Sequence, residues 1–484
     1  MTKIVSVVLI LSLVLILLFK KTWPIHSPVF ETKHLAFLQP DFEHGFVWPQ
    51  RVRHGDALNI FLHLNRKNVL LEINQILGPE TRKFLSQLDA PRIDENTLDK
   101  CTIETGCEWL SNLQFKIPTG WPNGIYEVSF QSGNTMRRMY FFIPPHPNQQ
   151  GDALFLYDWS TLNGHNLFGG CNFYGDFHDG KMKQSAAEVS HLRYSLKRPM
   201  MPTSLEFNDS VILRENNVFD GLGWLPTISQ FLKTDAIFNT SLAEMDEAIL
   251  KKYKFVVIAG TQEYLSRDDF TLLQHYVESG GFLIIAGSEF GLNYINYNKN
   301  RDSIAFYKVV PHEKIKDPPV RVTSVANPLM YWGFSFNFGV GIFSSKIFDF
   351  QIINTKHPYF ENINVQKTDS FRSLRGWSFG AVLTQNGNTF CLTHSEIPCN
   401  DVEVLGLVKT KYQIATEESH ERLRFSDLLA NEFEHQNPER EIFAPLMKVK
   451  KGKGHFLAIP GNLLEDPRSV DEIQFIKNVV NTTK

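Results

Sequence analysis

Apolar and polar positions alternate along the first third of the chain in short runs split by turn residues. "DALNIFLHLN" (56–65), "VLLEINQI" (69–76), "LQFKIP" (113–118), "GIYEVSFQS" (124–132) and "RRMYFFIPP" (137–145) each place side chains of one kind on one face with a period of two. That pattern predicts antiparallel strands with one buried face. A small β-sandwich of immunoglobulin-like type over residues 30–147 is the expectation. "IPPHPNQQGD" (143–152) is proline-rich and polar, and marks a boundary.

Beyond it the period changes. "DALFLYDW", "DAIFNT", "KFVVIAG" and "FLIIAG" read as strands, and "WLPTISQFLKT", "SLAEMDEAILKKY" and "SRDDFTLLQHYVESGG" as helices between them. Ser241 with Glu244 and Ser266 with Asp269 have capping-box spacing, while Gly280 and Gly281 end the last helix. Strand and helix alternation with continuous apolar strands predicts a parallel sheet covered on both faces. The expected class is therefore α/β, with a parallel-sheet three-layer domain of glutamine-amidotransferase-like type over residues 152–484. After residue 300 the texture is irregular and Phe-rich. Candidate strands lie near "WGFSFNFGVG", "FGAVLTQ" and "GHFLAIPG", and "SVDEIQFIKNVVN" closes the chain as a helix.

The longest apolar run, "IVSVVLILSLVLILLF" (4–19), stands apart from all of these, between Lys3 and Lys20–Lys21. It is marginal for a bilayer span and long for the apolar part of a cleaved signal, and no small-residue cleavage site follows. An uncleaved membrane anchor within residues 1–25 is favoured over a removed signal. Five cysteines fall as Cys101 with Cys107, Cys391 with Cys399, and the single Cys171. The two close pairs suit local disulfides, which persist in oxidising compartments. A membrane-anchored body outside the cytoplasm is the expectation, periplasmic, cell-surface or lumenal. Three Asn-x-Ser/Thr triplets, at Asn208, Asn239 and Asn481, are compatible with export.

A net charge of −3 gives no reason to expect nucleic acid, and the basic "KVKKGKGH" (448–455) reads as a solvated hairpin turn. Nothing in the sequence fixes self-association, and a homo-oligomer stays open. The chain has no H-E-x-x-H, Walker loop or G-x-G-x-x-G. What remains is a polar concentration in "WSTLNGHNLFGGCNFYGDFHDG" (159–180) and "VSHLRYSLKRPMMP" (189–202). Asn163, His165, Asn166, His178 and Asp179 crowd a segment too polar for a core. In "VVIAGTQEYLS" (256–266) Glu263 stands past the apolar run of "KFVVIAG", where ligands bind in parallel sheets. There it either binds a ligand or serves the helix beginning near Ser266.

"NGHNLFGGCNFY", "FHDG", "YSLKRPMMP", "GTQEYLS", "GGFLIIAGS" and "HPYF", in that order, resemble the large (beta) subunit of N,N-dimethylformamidase and its C-terminal-domain relatives. "GWPNGIYEVSF" is similar to that family's strand closing an immunoglobulin-like domain. The resemblance spans nearly all of the chain after residue 40. It implies a metal-dependent hydrolase of a C–N amide bond with iron held by two tyrosines and a glutamate. Carried over, the glutamate is Glu263, one tyrosine is Tyr194, and the position of the other is His165. The family's histidine two residues before the glutamate is Thr261 here. A His, Tyr, Glu donor set suits iron, with zinc as the alternative, because imidazole in place of phenolate removes an anionic ligand. His178 and Asn166 are the candidate catalytic side chains, and His178, His191 or Glu289 could stand in for the family's missing histidine as proton-transfer partner. Arg193 and Arg198 are candidates for pairing an acidic substrate group. The competing reading is a non-catalytic cell-surface protein whose degenerate cleft recognises a glycan or peptide.

Overall fold

The computed structural model describes most of residues 43–483. Residues 1–42, 186–192, 201–220, 307–346 and 412–440 lie outside the described residues, as do shorter stretches that include 147–149, 179–180, 261, 263, 288–289 and 376–382. The apolar run 4–19 and the candidate strand 332–341 are therefore outside them. Among the described residues no helix is long and apolar enough to cross a membrane.

Seven antiparallel strands build the two main sheets of the first third, and Cys101–Thr102 pairs with Gly106–Cys107 in a short hairpin of its own. The seven are β1 (His44–Trp48), β2 (Ala57–His63), β3 (Asn68–Ile76), β4 (Arg82–Pro91), β5 (Leu113–Lys116), β6 (Gly124–Ser132) and β7 (Thr135–Ile143). One sheet has the order β1-β2-β5 and the other β4-β3-β6-β7. Leu58, Ile60 and Leu62 of the first meet Leu71, Ile73, Val128, Phe130 and Phe141 of the second in one core. The period-two pattern is what allows this, since alternate residues leave opposite faces of a strand. β6 and β7 do not alternate, because their outer face is buried too: Ile125, Tyr140 and Phe142 belong to the core of the following region.

That region is organised around an eight-stranded sheet. Its parallel part comprises β8 (Ala153–Tyr157), β10 (Thr234–Phe238), β11 (Phe255–Ala259), β13 (Phe282–Gly287) and β18 (Gly454–Pro460). The antiparallel part comprises β17 (Glu441–Lys451), β16 (Val402–Lys411) and a short edge strand, Gln351–Ile352. The order is β10-β8-β11-β13-β18-β17-β16 and then the edge strand. A second sheet, β9-β15-β14-β12, joins β9 (Arg193–Ser195), β15 (Ser303–Phe306), β14 (Asn293–Tyr297) and β12 (Tyr264–Ser266).

The expectation of a parallel-sheet three-layer α/β domain of glutamine-amidotransferase-like type is thus corrected. The molecule is mostly β, with large mixed and antiparallel sheets. Two physical causes stand out. Among the described residues the helical cover is thin: α1 (Trp159–His165), α2 (Trp224–Ile228) and α3 (Glu247–Leu250) are short, and only α4 (Arg267–Glu278) and α5 (Val470–Thr482) exceed two turns. Part of the cover is β instead, because the outer face of β6–β7 packs on β10, with the rings of Phe142 and Phe238 5.0 Å apart.

The expected helix at 241–253 also divides. Asn239–Glu244 is a 3-10 turn, Met245 is extended, and Asp246 caps the separate α3. The Oδ1 of Asp269 accepts from the Ala243 N–H at 2.9 Å, which draws this turn onto the start of α4 rather than into a continuous helix. By contrast, the Ser266–Asp269 capping box is formed, and Ser469 with Glu472 forms a second at α5. Both close cysteine pairs are disulfides, Cys101–Cys107 and Cys391–Cys399.

Candidate functional site

Strand order creates the site's location. From β8 the chain moves to β10 on one side, then crosses to β11 on the other side and continues to β13. Connections leaving β8 and β11 therefore run in opposite directions, which opens a crevice at their carboxyl ends. The next residue after β8 is Asp158, after β10 it is Asn239, and Gln262 follows β11. These three polar side chains stand side by side because their strands do, and all are buried.

They form one hydrogen-bonded network. The Asn239 Oδ1 accepts from the Trp159 and Ser160 N–H groups at 3.1 and 3.0 Å. Its Nδ2 lies 3.1 Å from Asp158 Oδ1, 2.6 Å from Ser160 Oγ and 3.0 Å from Gln262 Oε1. Asp158 caps α1 by accepting from the Thr161 N–H at 3.1 Å. The Gln262 Nε2 donates to the Leu156 carbonyl at 3.1 Å, and the Ser160 hydroxyl donates to the Tyr264 carbonyl. Asn239 is fully buried and its amide is committed to these bonds, so the triplet at Asn239 is not a glycan acceptor in the folded protein.

Gly287 helps the strand ends approach one another. Its φ of 143° is in the glycine-favoured region, and a Cβ there would stand 2.3 Å from the Gly260 carbonyl oxygen.

Of the expected metal-ligating residues, Tyr194 is placed with its side chain. It lies on β9 and is 1% exposed, among Ile103, Leu196, Tyr264, Ile295 and Ile304. The Arg198 guanidinium sits 5.2 Å from the centre of its ring. His165 is the last residue of α1 and is placed by its backbone. Glu263 and Thr261 lie outside the described residues, as do Asp179, His191 and Glu289. Among the described residues no group of three or more His, Cys, Asp or Glu side chains is arranged to hold a metal. The donor chemistry of His165, Tyr194 and Glu263 nonetheless fits a ferric or divalent ion, and two of the three lie on elements that the structure ties together.

Arg198 makes that tie. It was a candidate for a substrate group, yet it is buried, and its Nη1 and Nη2 donate to the Phe168 and Asn163 carbonyls at 2.9 and 3.0 Å. The end of α1 is thereby fixed to the segment that follows Tyr194. Asn166 adds a second link: its Nδ2 donates to the Pro199 carbonyl at 2.9 Å and its Oδ1 accepts from the Phe168 N–H at 3.0 Å. Its amide thus holds the loop. His178 ends the strand Gly175–His178 and is placed by its backbone, and Arg193 is exposed.

The sandwich braces the same region. Inside the Cys101–Cys107 loop, the Ile103 carbonyl accepts from the Ser195 N–H at 2.8 Å, and the Cys107 N–H donates to the Lys197 carbonyl at 2.8 Å. Gly106, with φ 82°, allows this approach, since a Cβ would meet the Lys197 oxygen at 2.3 Å.

Asp158, Asn239 and Gln262 were missed in the sequence. A signal existed, because each polar residue ends an apolar run, in "FLYD", "AIFN" and "VVIAGTQ".

No curated protein matches the chain. Two solved structures, a GH42 beta-galactosidase, Gan42B, and a catalytic mutant of it from G. stearothermophilus, align at 11% identity over 69% of this chain, with TM-scores of 0.31 and 0.30. The chain spans about 30% of their length, and so distant a likeness carries no argument. The family described as N,N-dimethylformamidase beta subunit-like, C-terminal, matches residues 78–437. That stretch takes in most of the chain, from β4 through the Asp158–Asn239–Gln262 network and the segment of Tyr194, and the chain belongs to this family.

Proposed function

We propose that the chain hydrolyses the C–N bond of a small-molecule amide with a metal ion held by His165, Tyr194 and Glu263. At family level this is a dimethylformamidase-like hydrolase. The observation that carries the finer reading is the crevice where the connections of β8 and β11 diverge. α1, with His165, leaves β8 there, and Gln262, the residue before Glu263 in sequence, follows β11 there. Iron suits the phenolate and carboxylate donors, and zinc is the alternative. Bound there, the ion would supply a Lewis acid for the amide carbonyl.

The chain's own residues do the rest. Burial of Tyr194 among apolar neighbours keeps bulk water from its oxygen, and Arg198 fixes the ring and the end of α1. Asn166 holds the loop that leads toward His178. His178 is the proton carrier in this reading: water adds its oxygen to the carbonyl carbon, the C–N bond breaks, and the amine leaves with the proton. The two disulfides support a body outside the cytoplasm, anchored through residues 4–19.

The test is metal analysis by mass spectrometry of the full chain beside Glu263→Ala. Near-stoichiometric iron or zinc that disappears in the variant is expected, followed by release of amine from simple amides. Wild-type protein that holds neither ion, even after loading, sinks the proposal in favour of a surface protein that binds a glycan or peptide without turnover.

A further inference from the structure

We infer that Asn239 is the positioning residue of this site: a buried hub that sets Gln262 and Tyr264 against the start of α1. The inference rests on the metal-site reading above. Residues 262 and 264 flank the proposed glutamate ligand, and both are held from the same point. The Gln262 side chain bonds to Asn239 directly, while the Tyr264 carbonyl is bonded by Ser160, whose hydroxyl and N–H both engage Asn239. α1, which ends in His165, begins at the same hub through Asp158 and the Trp159 N–H. The helix that ends in His165 and the two residues that flank Glu263 in sequence thus share one amide as their common reference.

The chemistry of an amide is what makes the hub possible. Asparagine offers two N–H donors and an acceptor oxygen, so one side chain serves two backbone donors and shares its own donors among carboxylate, hydroxyl and amide acceptors. Aspartate has no donor to offer Asp158 or Gln262. Serine is too short to span three strand ends. A fully satisfied buried network of this kind fixes a single arrangement of its members, whereas an apolar contact would let the strand ends slide. Partners that orient ligands from behind are typically worth about 10- to 100-fold in metal affinity.

The test uses the full chain with Zn²⁺ or Fe²⁺ in competition with a chelator, at a temperature where each variant is folded. Asn239→Ala is compared with Asn478→Ala. Asn478, on α5, is also a buried amide, donating to the Tyr359 and Glu361 carbonyls of a separate turn. Asn239→Ala is expected to bind the ion at least about tenfold more weakly than wild type, with Asn478→Ala unchanged. Gln262→Met, which keeps the size and loses the hydrogen bonds, is expected to weaken binding in the same direction, and serves if Asn239→Ala does not fold. Wild-type affinity in Gln262→Met and in folded Asn239→Ala overturns the inference and leaves the metal site standing. Equal weakening in Asn478→Ala also overturns it, because the effect is then one of general stability. Wild-type protein that binds neither ion overturns both the metal reading and this inference.

Discussion

His44, on β1, is where proton uptake bears most directly on stability. Burial, then the nearby Arg137 and His63, hold its imidazole well below the usual histidine range. The folded protein therefore keeps His44 neutral where the unfolded chain, with a pKa near 6.5, takes up a proton. The contribution is complete above about pH 6.5 and is lost as pH falls toward the folded value, at up to about 1.4 kcal/mol per pH unit. His44→Phe, which keeps a ring against Phe168, should flatten the dependence of the urea midpoint between pH 6.5 and 5. An unchanged slope would show that the proton is taken up elsewhere. At Gly287 the concern is backbone strain. Gly287→Ala meets both a φ of 143° and the Gly260 oxygen, and a loss of about 2–4 kcal/mol in urea unfolding is expected. A loss below about 0.5 kcal/mol would mean that the strand ends move apart freely.

At the scale of elements, two helices with the same capping box make a controlled comparison. In α5 the Glu472 carboxylate accepts from the Ser469 N–H at 2.7 Å in a partly exposed setting. In α4 the corresponding Asp269 is fully buried and accepts from the Ser266 N–H, the Ser266 hydroxyl and the Ala243 N–H. Removing Glu472 costs a cap, about 0.5–1 kcal/mol. Removing Asp269 leaves several buried donors without an acceptor, so Asp269→Ala should cost about 2–4 kcal/mol. Equal shifts in the two variants would refute the double role of Asp269. That role also explains what the sequence hid. Ser266–Asp269 was legible as a cap from spacing alone, but the reach of Asp269 to Ala243 is a long-range contact, and it breaks the helix that periodicity predicts at 241–253. β4 was illegible for a related reason. It is an edge strand with one residue more than its partner, the register stepping from Ile73–Ser86 to Asn74–Phe84 past Leu85, so no alternation survives. The polar segment after β8 was legible from its residue types alone. Asn239 was not, because nothing local says that the ends of β10, β8 and β11 are neighbours.

For the whole molecule, the proline-rich boundary at 143–152 suggests two independent bodies, yet the contacts across it are those of a core. Trp159 stacks on Phe238 at 4.6 Å, meets Tyr140 edge-on at 5.7 Å and donates its indole N–H to Gln50 at 2.7 Å. Arg51 pairs with Glu244, and the Cys101–Cys107 loop is hydrogen-bonded to the segment that follows Tyr194. The β4-β3-β6-β7 sheet thus serves as inner wall for one region and cover for the other, and neither can lose it and stay packed. Urea unfolding followed by tryptophan fluorescence and by far-ultraviolet circular dichroism should therefore give one coincident transition. Phe142 tests this from within the shared sheet, since its ring faces Phe238 and its backbone N–H and carbonyl pair with Gln50 and Val52. Phe142→Ala should lower the stability of the whole by about 3–5 kcal/mol while the two signals stay superimposed. Separation of the signals into two midpoints, in the wild type or the variant, would show that the sandwich is a free module and that its bracing of Tyr194 through the disulfide loop does not stabilise the site.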